Sequence, residues 1–254
     1  MKLNFEQAGN GPALIILHGL FGSASNFRTL ARQIGEFYTV YSLDLRNHGV
    51  SPHDSDVSFD VMAADIIEFM DDHNIQTTNL MGHSLGGKVA MQVALSYPDR
   101  ISKLIAGDIA PVEYPHHHDG IFDGLNAVSR SDVSSRKEAD AILADYVDIP
   151  EIRLFLLTNL VRKDDGSLGW RINVSGLEGG YEYIAKKLEG HPYPGPSLFI
   201  RGGASDYVQK DYYPAIYTLF PQARIVTMDG TGHWLHAEKP LEYKKIVLDF
   251  LEED

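Results

Sequence analysis

The 254-residue sequence predicts an α/β protein with a mostly parallel central sheet, helices on both of its faces and a helical insertion. Three observations carry that prediction. Short runs that are apolar almost throughout recur along the chain, as strands buried on both faces of a parallel sheet require: "ALIILHG" (13–19), "YTVYSLDL" (38–45), "TTNLMG" (77–82), "ISKLIAGD" (101–108), "SLFIRGG" (197–203) and "ARIVTMDG" (223–230). Amphipathic segments alternate with them, and "FDVMAADIIEFMDDHN" (59–74) sets Val61, Met62, Asp65, Ile66, Phe69 and Met70 at helical spacing on one mostly apolar stripe. The rhythm breaks once, over residues 112–194, where the helix-forming stretches "SSRKEADAILADYV", "PEIRLFLLTNLV" and "YEYIAKKLEG" surround a turn-like "KDDGSLGW". The expected organisation is a core of residues 1–111 and 195–254, interrupted by a helical cap over 112–194.

Taken in order, the first run opens into "LHGLFGS", a glycine-bearing loop, and the second into Arg46, Asn47 and His48, polar residues placed to brace a floor by hydrogen bonds. The third run ends in "GHSLGGKVAMQVALSYP", a strand turning sharply into a helix that stops before Pro98. Asp108 follows the next run, Asp206 the penultimate one, and "GTGHWLHAEKP" the last, with His236 at the start of a closing helix in a structural role.

The pentapeptide Gly82-His83-Ser84-Leu85-Gly86 at that sharp turn has the form of a nucleophile elbow. A serine in so tight a turn is strained, and glycine two residues before and after removes side chains that would collide. Ser84 also stands at a helix N-terminus, where free N–H groups favour developing negative charge. A serine hydroxyl needs a base, and His233, flanked by Gly230 and Gly232 after the last strand, is the candidate. Backbone N–H groups of Leu20 and Leu85 are the expected oxyanion donors, with Phe21 the alternative to Leu20 and its ring a pocket wall beside His83. Either Asp108 or Asp206 could orient the histidine.

Composition narrows the function. A formal charge of −13 disfavours nucleic acid and anionic membrane surfaces as partners, and a 44% hydrophobic content supplies a sizeable core. The absence of cysteine excludes disulfides and thiolate chemistry. No apolar run approaches the ~20 residues of a membrane-spanning helix and the N-terminus has no signal-like core, so a cytoplasmic location is expected. "HHH" at 116–118 reads as a polar stretch rather than a metal site, because adjacent histidines do not all face one ion. "GHSLGGK" lacks the spacing of a phosphate loop.

"HGLFGS", "LDLRNHGVS", "GHSLGGKVAM", "DIAPVEY" and "GTGHWLHAEKP" together resemble the α/β-hydrolase superfamily, and "DLRNHG" with "DIAPVEY" resembles its YbfF-type esterases. The resemblance implies a Ser-His-Asp hydrolase of small acyl esters or thioesters, working through an acyl-enzyme without a cofactor, as a monomer or weak homo-oligomer. It implies that the acid is the "DIAP" aspartate, Asp108. Where the family carries "GG-x-S-P-Y", this chain has Asp206 in place of the proline, a second carboxylate in the other acid's usual position. A C–C bond hydrolase, a perhydrolase or a small-molecule receptor on the same scaffold are the competing readings; enzymes with aspartate at the elbow are disfavoured by Ser84.

Overall fold

A computed structural model describes residues 1–253. Its main sheet has seven strands: β1 (Phe5–Ala8), β2 (Ala13–Leu17), β3 (Thr39–Leu43), β4 (Thr78–His83), β5 (Ile101–Gly107), β8 (Ser197–Gly202) and β9 (Ala223–Met228). They lie in the order β1-β3-β2-β4-β5-β8-β9, all neighbours parallel except the β1–β3 edge pair. All six apolar runs are strands of this sheet. The edge strand β1, "FEQA", lacks such a run and leaves no comparable mark in the sequence.

Both faces of the sheet are covered, which explains the continuous hydrophobicity of its strands. Along β2, Ile15 and Leu17 enter one core with Met62, Ile66 and Phe69 of helix 59–72 and Val89 of helix 85–96. Leu14 and Ile16 enter the other, with Leu30 and Ile34 of helix 28–34 and Tyr243 and Val247 of helix 240–252. A strand with every residue buried has no polar face to alternate with.

Residues 112–194 contribute helices at 119–130, 136–143, 150–157, 174–179 and 181–185. Two expectations are corrected here. The "PEIRLFLLTNLV" helix ends at Leu157, and its last residues instead form β6 (Leu160–Arg162), which pairs with β7 (Leu168–Trp170) as an antiparallel hairpin. The cause is the "KDDG" turn, where Gly166 takes φ 86°, together with Trp170, whose indole Nε1–H donates to the Leu125 carbonyl at 2.9 Å and docks the hairpin on helix 119–130. The "YEYIAKKLEG" helix stops at Ala185. Among the described residues no helix is long and apolar enough to cross a membrane.

Candidate active site

The site forms at the carboxyl ends of β2, β4, β5, β8 and β9, where polar loops leave a sheet whose interior is apolar. Ser84, directly after β4, has φ 52° and ψ −118°, and helix 85–96 begins at the next residue. A Cβ on Gly82 would lie 2.0 Å from the Gly86 carbonyl oxygen, and one on Gly86 would lie 2.4 Å from that of Leu17. Both contacts are with backbone, which has nowhere to move, so the two glycines are required by the turn. Of five non-glycine residues with positive φ among those described, three belong to this site: Phe21, Ser84 and Asp108. Strain of this kind persists only where the surroundings hold it.

His233 Nδ1–H donates to Asp108 Oδ2 at 2.8 Å, across 125 residues. That partner sets the tautomer and leaves Nε2 free to accept a proton. Asp108 is fully buried, and the Gly202 N–H donates to its Oδ1 at 2.9 Å while the Ser205 hydroxyl donates to its Oδ2. The carboxylate thus receives a donor from each of three places on two separate loops. Asp206, one residue beyond Ser205, is exposed and turned into a shallow surface cleft with Gln209 and Tyr212. It makes no hydrogen bond to His233. The ring of Tyr207 stacks on His233, with centroids 4.0 Å apart and planes at 21°. The Tyr114 hydroxyl ties this arrangement together by donating to the Tyr207 carbonyl at 2.5 Å and accepting the Ala110 N–H at 2.9 Å. Glu238 accepts the N–H groups of Gly232 and Trp234 on either side of the histidine.

The first loop is braced by two buried histidines in the same pattern. His18 donates Nδ1–H to the Gly19 carbonyl at 2.8 Å and accepts the Leu45 N–H at Nε2; His48 donates to the Arg46 carbonyl at 2.9 Å and accepts the Phe21 N–H at 3.1 Å. Each needs a neutral ring with one donor and one acceptor. Burial, with His18 alongside, pushes the His48 pKa down to about 3. The Phe21 N–H is therefore occupied, whereas the N–H groups of Leu20 and Leu85 have no acceptor among the described residues. Asn159, beside the β6–β7 hairpin, donates to the Phe21 carbonyl at 2.7 Å. Arg46 in turn forms a buried pair with Asp65, at 2.7 and 3.0 Å, which accounts for the one charged residue on the stripe of helix 59–72.

Two adjoining cavities open on Ser84. The wide one, about 370 Å³, has walls from the first loop (Phe21, Phe27), from the insertion (Ile152, Phe155) and from the last loop (His233, Trp234). His83, buried, and His236, half-buried, line it too, and burial with neighbouring histidines pushes the pKa of both rings down, that of His236 to about 4. The narrow one, about 40 Å³, is bounded by Leu85, Ile109, Tyr114, Tyr181 and Ile184. Lys88 closes its far side; its ammonium donates to the carbonyls of Ala185 and Lys186 and lies over the ring of Tyr114, and burial lowers its pKa to about 7. His117 and His118 of the "HHH" stretch line both cavities, bonded to the hydroxyls of Tyr207 and Tyr181.

Of the residues singled out from sequence, Ser84, His233, Asp108, Leu20, Leu85, Phe21 and His83 come together, and Asp206 stays outside. Ser205, Tyr207, Tyr114, Asn159 and Lys88 were not foreseen. Ser205 and Tyr207 were readable, since they match the serine and tyrosine of "GG-x-S-P-Y", and Tyr114 and Lys88 stand within "DIAPVEY" and "GHSLGGKVAM"; Asn159 lies outside these motifs and acts across a distance in sequence that leaves no local pattern.

Comparison with known proteins agrees with this architecture. A family model described as alpha/beta hydrolase fold matches residues 12–240. Esterase YbfF of Escherichia coli is 40% identical over 247 residues, covering 94% of this chain and 95% of that protein. An sn-1-specific diacylglycerol lipase of Mus musculus is 40% identical, covering 94% and 81%. A solved marine microorganism esterase superposes with TM-score 0.96 at 40% identity, covering 98% of this chain and 99% of that one. With its elbow serine, its braced first loop and a sheet of this order, the chain belongs to the α/β-hydrolase family, in its YbfF-type branch.

Proposed function

We propose that this carboxylic ester hydrolase acts on small acyl esters and thioesters through Ser84, His233 and Asp108. The observation that carries the reading is the 2.8 Å bond between His233 Nδ1 and the buried Asp108 carboxylate, beside a serine held at φ 52°. Ser84 Oγ attacks the carbonyl carbon while its proton passes to His233 Nε2, and the Asp108 carboxylate balances the imidazolium. The carbonyl oxygen takes the negative charge and accepts the N–H groups of Leu20 and Leu85, each donor lowering the barrier by about 3 kcal/mol. When the tetrahedral adduct collapses, the bond to the alcohol oxygen breaks and His233 returns the proton to it. Water, deprotonated by the same histidine, then attacks the acyl-serine and releases the acid. No group outside the chain is called for.

No hydrogen bond joins Ser84 and His233 before substrate arrives; in resting enzymes such contacts are often loose and tighten with the reacting group in place. Residues 112–194 serve as the cap, with Ile152 and Phe155 excluding water from the wide cavity. Replacing Ser84 with alanine removes one oxygen from the turn, and hydrolysis of p-nitrophenyl acetate is expected to fall by about 10⁴-fold or more with the unfolding midpoint preserved. A variant that kept a tenth of the activity would refute the nucleophile.

A further inference from the structure

The two cavities at Ser84 differ about ninefold in size, and they are not equivalent chemically. His233 and Trp234 face the wide cavity alone; Leu85 and Ile109 face the narrow one alone. From this we infer that the narrow cavity receives the acyl group and the wide cavity the alcohol, so that the enzyme selects short-acyl esters of large apolar alcohols. The inference rests on the triad reading above, because the positions of the four groups on the tetrahedral carbon decide it.

One of those groups is Ser84 Oγ. A second, the oxyanion, lies against the N–H groups of Leu20 and Leu85. The third, the departing alcohol oxygen, must lie within hydrogen-bond reach of His233, since that ring protonates it. The alcohol therefore extends along the face that carries His233, which is the wide cavity. The acyl carbon takes the remaining direction, past Leu85 toward Ile109 and Ile184.

Size then sets the preference. A cavity of about 40 Å³ has room for about three water-sized groups at ~10–15 Å³ each, so about three non-hydrogen atoms fit beyond the carbonyl: an acetyl to butyryl chain. Extension is blocked by Tyr114, bonded at its hydroxyl to two loops, and by Ile184, held where Lys88 bonds the carbonyl that follows it. Neither can yield without disturbing Tyr207, which stacks on the catalytic ring, or the seat of the cap on helix 85–96. The wide cavity, at about 370 Å³ with Phe27, Phe155 and Trp234 in its walls, has the size and apolar lining of a pocket for an octyl or naphthyl group.

Octyl acetate and ethyl octanoate are isomers of equal bulk, with the long chain on opposite sides of the ester. Wild-type enzyme is expected to give kcat/KM for octyl acetate about 100-fold above that for ethyl octanoate, as a chain too long for its pocket by several methylenes requires. A preference below tenfold, or the reverse order, overturns the assignment. Ile184→Ala enlarges the narrow cavity and is expected to reduce the ratio at least fivefold; an unchanged ratio in the folded variant counts against the inference. The wild-type pair is decisive by itself if that variant does not fold. Ser84→Ala measured on both isomers separates the two levels: loss of both activities leaves the triad standing whatever the ratio, and retention of both removes the triad and the cavity assignment with it.

Discussion

Two aspartates stand at the carboxyl ends of β5 and β8, strands that neighbour each other in the sheet, and their surroundings are opposite. Asp108 has a positive φ, no exposure to solvent, and donors from Gly202, Ser205 and His233. Asp206 is exposed on the loop that supplies Ser205. The β8 loop thus supplies a hydroxyl and an N–H to an acid on the β5 loop. What distinguishes the two is the convergence of donors on a buried oxygen pair, since a buried carboxylate without them would be costly and an exposed one needs none.

The sharpest way to break this comparison is to exchange the acids' charge one at a time. Asp108→Asn turns the group facing His233 from an acceptor into a mixed donor and acceptor and favours the wrong tautomer, so kcat for p-nitrophenyl acetate is expected to fall by about 10⁴-fold. A loss under tenfold would show that Asp206 or water takes over.

Burial also acts on the histidines, and acid stability measures it. His48 and His118 are pushed down to about 3, and His236 to about 4, each mainly by burial. Their folded-state values lie below the ~6.5 of an unfolded chain, so between these limits the unfolded state binds more protons. Stability is complete above about pH 6.5 and declines as pH falls toward 3, by at most about 1.4 kcal/mol per pH unit for each group. Denaturant midpoints measured at pH 7.5 and 5.5 should drop accordingly; equal midpoints would mean that these rings are hydrated rather than enclosed.

Ser205→Ala removes one of three donors to Asp108 and leaves the carboxylate in place. A charge-assisted bond contributes about 1.5–3 kcal/mol, so a loss of roughly ten- to hundredfold in kcat is expected, with the pH profile displaced because the pair with His233 is altered. Unchanged activity and profile would reduce Ser205 to packing. The smallest effect belongs to Asp206→Asn: an exposed substitution without partners is expected to change activity less than about twofold and stability by under about 0.5 kcal/mol. A large loss there would reverse the comparison.

Much of this protein can be read from its sequence because much of it is set by neighbours along the chain. Strands buried on both faces need apolar residues at every position, and a strained serine needs glycine two residues away on each side; both conditions fit within a few consecutive residues. The order of Ser84 before His233 is likewise linear. Short-range pattern already misleads in the insertion, where "LLTNLV" has helical propensity but Trp170, anchored on Leu125, draws residues 160–162 into a hairpin. The "DIAPVEY" resemblance already pointed to Asp108, but the donors that converge on its carboxylate, the bracing of Phe21 by His48 and Asn159, and the division of the cavity at Ser84 come from tertiary structure alone. Each depends on groups 27 to 138 residues apart meeting at hydrogen-bond or van der Waals distance. Spacing along the chain leaves two aspartates, each after a strand, able to serve, and only the "DIAPVEY" resemblance separates them in the sequence; the fold adds the physical reason, because burial and three converging donors meet at Asp108 and not at Asp206.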